Sequence, residues 1–176
     1  MERKDSPNTF FSIPMAKETI LILDNEFHIQ WTLKTLLENE KYIVVSVDTI
    51  ERAIQNFREF EISGLVTEYW INHSNTIDII IELKKISPEL YVMMLTNEDV
   101  KEREYEAIME AGIDDFFLKP FSSEKILLHL KKGLRQRKIF LQKRRIEHEL
   151  NQIKMEKKIL NTTQAGESLS ANKSLP

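Results

Sequence analysis

Five short apolar runs, each followed by a stretch with helical periodicity, constrain this chain more than any other feature. The runs are Thr19 to Leu23, Tyr42 to Val47, Gly64 to Thr67, Tyr91 to Leu95 and Asp115 to Leu118. A strand with one wet face alternates apolar and polar residues, whereas a strand covered on both faces is apolar throughout. Between the runs, Ile29, Leu33, Leu36 and Leu37 recur along one helix face. Ala53, Ile54 and Phe57 do the same within Glu51 to Phe60, with Asp48 or Thr49 placed to cap the start. Ile77 to Ile86 is stopped by Ser87-Pro88, and Asp99 to Ala111 is closed by Gly112. From Ser122, helix formers run almost unbroken to Leu160. The order is (βα) five times, with no other internal repeat. It predicts an α/β fold: a doubly wound, five-stranded parallel sheet with an extended C-terminal helix.

Composition narrows the class further. Hydrophobic residues make up 41% of the 176 and charged residues 30%, enough for one core, a polar surface and some appendages. The absence of cysteine excludes a disulfide framework, a thiol nucleophile and a thiolate metal site. Apolar runs stop at about six residues, and a membrane helix needs about 20. Residues 1–17 hold Asp5, Ser6, Asn8 and two prolines, Pro7 and Pro14, with little periodicity and no long apolar stretch, and read as a flexible leader rather than a signal peptide. A cytoplasmic protein with no membrane partner is expected. The net charge of −3 hides an asymmetry: residues 121–160 hold twelve Lys/Arg against four acids, and residues 1–120 carry −11. An acidic body bears a basic rod.

Open parallel sheets place their working residues at the carboxyl ends of the strands. Those ends read Asp24-Asn25-Glu26, Thr67-Glu68-Tyr69-Trp70, Leu95-Thr96-Asn97 and Leu118-Lys119-Pro120-Phe121. Carboxylates suit Mg²⁺; a lysine and a hydroxyl suit a phosphoryl group. Here the sequence resembles the receiver domain of two-component response regulators, over about residues 18–134. The sharpest likeness is Ala111-Gly112-Ile113-Asp114-Asp115-Phe116-Phe117-Leu118-Lys119-Pro120-Phe121, followed by Ile20-Leu21-Ile22-Leu23-Asp24 and Val92-Met93-Met94-Leu95-Thr96. The resemblance implies the flavodoxin-like strand order 2-1-3-4-5. It also implies that Thr96 and Phe116 are switch residues, that Lys119 pairs with a phosphoryl group, and that Lys119-Pro120 is cis. Its partners would be a histidine kinase or a downstream effector.

The departures bear on the same chemistry. Where the family has two adjacent acids, this chain has Asp24-Asn25. Where the family has its phosphoacceptor aspartate, it has Glu68, and no aspartate occurs between Asp48 and Asp78. Asn25 removes a charge from the acidic pocket. The extra methylene of Glu68 moves its carboxylate by roughly 1 Å, and a misplacement of about 1 Å can cost on the order of 10²-fold in an in-line reaction. Glu68 is therefore expected to be a poor acceptor. Either it has drifted, or it partly imitates a phosphorylated aspartate, although phosphate carries nearly two charges. Any Mg²⁺ on Asp24 and Glu68 would be weak or absent, and no cofactor is required. The expectation is a degenerate receiver that is not an enzyme and signals by protein contact. A true phosphoacceptor with atypical residues is the alternative.

His28, His73, His129 and His148 have no ligand spacing and read as exposed surface histidines; Trp31 and Trp70 read as packing or partner contacts. Residues 135–160 form a basic helical extension. Ile139, Ile146, Ile153 and Leu160 recur every seven residues, with Lys143, Leu150 and Lys157 at the alternate positions. That is a short heptad seam suited to a coiled coil and hence to a homodimer. Lys131 to Arg145 carries eight basic residues and no acid, a footprint for nucleic acid, but no helix-turn-helix or stacking platform accompanies it. Nucleic acid is the less favoured partner. Residues 161–176, rich in Ser, Thr and Asn, read as a disordered tail.

Overall fold

The computed structural model describes residues 17–97 and 102–171, and in the second span the side chains of 105–160. The sheet strands are β1 (Thr19–Leu23), β2 (Ile43–Val47), β3 (Gly64–Glu68), β6 (Tyr91–Thr96) and β7 (Asp115–Leu118). All are parallel, in the order β2-β1-β3-β6-β7. The helices are α1 (Phe27–Asn39), α2 (Ile50–Glu59), α3 (Ile77–Ile86), α4 (Glu102–Glu110) and α5 (Ser123–Ala171). This is the doubly wound order expected above.

The side-chain period of two along each strand sorts the core into two layers. Leu21, Leu23, Leu65, Val92 and Met94 face α2, α3 and α4, against Ala53, Ile80, Leu83 and Ile108. Ile20, Ile22, Val66, Met93 and Leu95 face α1 and α5, against Leu33, Leu37, Ile126, Leu130 and Leu134. Thr49 caps α2 by accepting the Arg52 N–H at 3.3 Å. Gly112 follows α4 with φ +77°, the left-handed conformation that favours glycine. Gly133 has a different purpose: a Cβ there would lie 2.0 Å from the Tyr91 ring, so its absence lets α5 lie close on β6.

Two local features differ from the sequence expectation. The polar stretch after β3 is a small antiparallel hairpin, β4 (Trp70–Ile71) with β5 (Ser74–Asn75). Asn72 (φ 49°) and His73 (φ 66°) make its turn, and these two residue types enter the left-handed region more readily than most. The α4 start expected at Asp99 lies outside the described residues, as do residues 1–16 of the leader and 172–176 of the tail. The α5 backbone does not stop at Leu160 but runs to Ala171. The Ser, Thr and Asn beyond Leu160 lower helix propensity by fractions of a kcal/mol each, and proline, which would break the helix, first appears at Pro176.

Candidate functional site

Asp24 follows β1 and is almost fully buried. Its Oδ1 accepts the Glu26 N–H at 2.8 Å, an Asx-type turn that curls the loop before α1. Its Oδ2 accepts from Lys119 Nζ at 2.8 Å. Gln30 donates to the Asp24 carbonyl, and Ser46 donates to the Gln30 side chain at 2.6 Å, which ties the turn to β2. Because the turn folds back, Glu26 also reaches Lys119, at 2.7 Å, and accepts from Asn97 at 3.2 Å. Asn25 is exposed and lines the mouth of the same cleft as Glu26, Glu68 and Thr96. Asn25 brings no charge to this cleft, and Glu26, one residue later, adds a carboxylate on Lys119 that the strand-end reading did not assign.

Glu68 closes the third side. Its Oε2 lies 2.6 Å from Lys119 Nζ, out of line for an aligned hydrogen bond. Its Oε1 accepts the Tyr69 N–H at 2.7 Å. The backbone that carries it is pinned from α3: the Thr76 hydroxyl donates to the Glu68 carbonyl at 2.9 Å, and the Thr76 N–H to the Tyr69 carbonyl at 2.9 Å. Lys119, at the end of β7 and followed by a cis bond to Pro120, has a side chain only 4% exposed.

One ammonium thus faces three carboxylates. Burial alone would push the Lys119 pKa down, but Asp24, Glu26 and Glu68 outweigh it and hold the group above the ordinary lysine value. Burial raises the Asp24 carboxyl, against the pull of Lys119 and the Glu26 N–H. The Lys119 hydrogen bond holds Glu26 below its usual value. Asp24, Glu26 and Glu68 each offer a carboxylate oxygen within 4.8 Å of the others. Such a hard oxygen set fits a divalent cation such as Mg²⁺, with the Lys119 ammonium already in contact with every member.

Thr96 is fully buried at the end of β6, where its carbonyl accepts the Lys119 N–H at 2.8 Å. Phe116 is half-buried against the core, its ring 6.1 Å from that of Tyr105. The six residues singled out from sequence therefore divide. Asp24, Glu68 and Lys119 touch one another, Thr96 lines the same floor, Asn25 sits on the rim and Phe116 stands apart on β7.

The response regulator receiver domain family matches residues 20–131. The chain belongs to that family. Among curated relatives, the probable transcriptional regulator ycf27 of Porphyridium aerugineum is 30% identical over 122 residues, 69% of this chain and 50% of that protein. The transcriptional regulatory protein ResD of Bacillus subtilis (strain 168) is 28% identical over 119 residues, 66% of this chain and 48% of its own. The chain thus spans about half the length of the curated relatives it matches. Among solved structures, a CheY-like receiver domain from Methanospirillum hungatei JF-1 superposes with TM-score 0.66 at 20% identity, covering 70% of this chain and 98% of that one. The beryllofluoride-activated NtrC4 receiver domain dimer gives TM-score 0.63 at 26% identity, over 68% and 98%.

One further residue of this receiver was misjudged from sequence. His129 is not a bystander. Its Nδ1 lies 2.6 Å from Asp115 Oδ1, whose other oxygen accepts the Tyr91 hydroxyl at 2.5 Å, and its ring meets Phe117 edge-on at 4.9 Å. The cluster ties α5 to β6 and β7. Trp31, read from sequence as a packing or partner contact, is 62% exposed and lies outside the core. Among the described residues, no helix is long and apolar enough to cross a membrane.

Proposed function

We propose that this receiver signals by protein–protein contact without phosphorylation, with Glu68 holding the pocket in one arrangement. The observation that carries this reading is the Glu68 carboxylate itself. One oxygen lies against Lys119 and the other on the Tyr69 N–H. A phosphoryl group on a shorter acceptor would need a cation and backbone donors of this kind. Here a carboxylate of the chain already engages them, at a reach that suits imitation of the modified state better than in-line attack. The full burial of Thr96 and the packing of the half-buried Phe116 on the core fit an inward arrangement of the switch pair. Asp24, Glu26 and Glu68 would hold Mg²⁺ only by displacing Lys119, so metal binding is weak and no cofactor is required. The module is not an enzyme, and its partners are a histidine kinase or a downstream effector.

The nucleic-acid reading loses ground on the pairing of the basic rod. Lys131 meets Glu40, Lys138 meets Glu18, Arg137 meets Glu61 and Arg144 meets Glu89, at 2.5–3.7 Å. Lys143 and Arg145 pair along the helix with Glu147 and Glu149. Much of the positive charge is answered by this chain's own acids.

Intact mass after incubation with Mg²⁺ and a small-molecule phosphodonor tests the proposal, with Glu68→Asp and Glu68→Ala alongside. No adduct on the native chain is expected. A labile adduct on the native chain that disappears in Glu68→Ala would replace this reading with a true, atypical phosphoacceptor.

A further inference from the structure

From Ile139 onward α5 presents an apolar stripe to solvent, while Lys138 and Arg144 still tie its flank to the body. Ile139, Ile146, Leu150, Ile153 and Leu160 are each 48–64% exposed. In heptad terms the isoleucines and Leu160 occupy d positions, and Lys143, Leu150 and Lys157 the intervening a positions. The Lys143 side chain is 75% exposed.

We infer that this seam pairs with a different protein, a helix carrying Ile or Leu at d and acidic side chains at the two a layers that face Lys143 and Lys157. The argument is charge complementarity. In a parallel pair of identical chains, a layers face each other, so Lys143 would meet Lys143 and Lys157 would meet Lys157 around a lone Leu150 layer. The flanks return little. Glu149 can reach Lys154 of the second copy, but Gln142 and Glu156 find Glu147 and Asn161 at the matching positions. In a fully overlapped antiparallel pair, the two-fold axis sets Glu147 beside Glu147 and Glu149 beside Glu149, and each seam lysine lies among isoleucines with no acid opposite. The parallel arrangement opposes like charges within its a layers, and the antiparallel one opposes them at the flanks while leaving both seam lysines without an acid. An acidic partner relieves both, and the 14-residue interval from Lys143 to Lys157 fixes its register. The two lysines thus act against self-pairing as much as for the partner. This inference does not depend on how Glu68 behaves.

The test uses the full chain and two synthetic four-heptad peptides with Ile at every d position. One carries Glu-Leu-Glu at the a positions, the other Lys-Leu-Lys. Fluorescence anisotropy should show the acidic peptide binding at least about tenfold more tightly, with the preference shrinking as salt is raised. Lys143→Glu with Lys157→Glu should reverse the preference, and Ile146→Asp should abolish binding with the receiver's circular dichroism unchanged. Equal affinity for both peptides, or binding to neither, overturns the inference. So does a native chain that sediments as a dimer at micromolar concentration and becomes monomeric in Ile146→Asp, because the seam's occupant is then a second copy.

Discussion

Replacing Lys119 by Met removes the pocket's cation and keeps a side chain of comparable length. Asp24, Glu26 and Glu68 then face one another with oxygens no more than 4.8 Å apart. Two unit charges at that distance repel by about 3.5 kcal/mol at an effective dielectric constant of about 20. Three full repulsions are never realised, because one carboxyl takes up a proton first. Asp24 is that group, since burial already raises it. The loss is therefore bounded near the cost of removing one partner from a buried ion pair, about 3–5 kcal/mol. Its pH dependence has a definite sign. A carboxyl whose folded pKa is raised contributes its full stability below the unfolded pKa and loses it as pH rises through the folded value. The deficit of Lys119→Met relative to the native chain is thus largest near pH 7.5 and smaller near pH 5. Urea unfolding at the two pH values, with equal m-values, measures it. A deficit under about 1 kcal/mol at pH 7.5, or one unchanged at pH 5, would refute the view that Lys119 holds three charged acids together.

Glu26→Gln should lower stability near neutrality by several tenths to about 1 kcal/mol, because a third of the side chain is wet. The folded pKa of Glu26 is depressed, so its contribution is present above the usual 4.5 and lost below it; native and variant urea midpoints should converge as pH falls toward 3. Gly133→Ala should destabilise by about 1–3 kcal/mol in thermal melts, although alanine favours a helix by about 1 kcal/mol, because the Tyr91 ring occupies the space. Thr76→Val keeps the side-chain shape and removes one of the two hydroxyls on the Glu68 carbonyl, the Thr67 hydroxyl remaining at 2.9 Å; a loss of about 0.5–1.5 kcal/mol in chemical denaturation is expected.

The parts of the fold most legible in sequence are those where one pattern decides. Strand β1, helix α3 and strand β7 fall where the apolar runs, Ser87-Pro88 and Gly112 place them. Glu26 was missed because linear spacing puts it beyond the expected acid pair. Only the turn made by Asp24 Oδ1 on the Glu26 N–H brings it back to Lys119. That turn had a sequence signal, an Asp two residues before Glu at a helix start. The β4–β5 hairpin carries two residue pairs, too few for any hydrophobic period, and its turn was encoded only in Asn72-His73. His129 lies on a mostly polar turn of α5, and its partner Asp115 is 14 residues away, a pairing made by tertiary packing alone.

The pocket and the seam share one helix. Helix α5 begins four residues after Lys119, is seated on the sheet by Ile126, Leu130 and Leu134, and is held at its flanks by Glu40, Glu18 and Glu89 through Lys131, Lys138 and Arg144. At 1.5 Å per residue, the stretch from Ser123 to Arg144 runs for about 30 Å along the body before the seam is fully clear of it. Energy passes over such a distance only if some element has two arrangements that both ends bias. A pocket closed by its own Glu68 supplies one arrangement, so on the function proposed here the seam is presented at all times and its occupancy follows the partner's concentration. Glu68→Asp separates the two possibilities. If this shorter acid restores phosphorylation and the modified chain binds the acidic peptide with altered affinity, the helix still transmits from the pocket and Glu68 had silenced it. If phosphorylation returns and peptide affinity stays the same, the docked stretch of α5 is a rigid mount, and the acidic pocket serves stability alone.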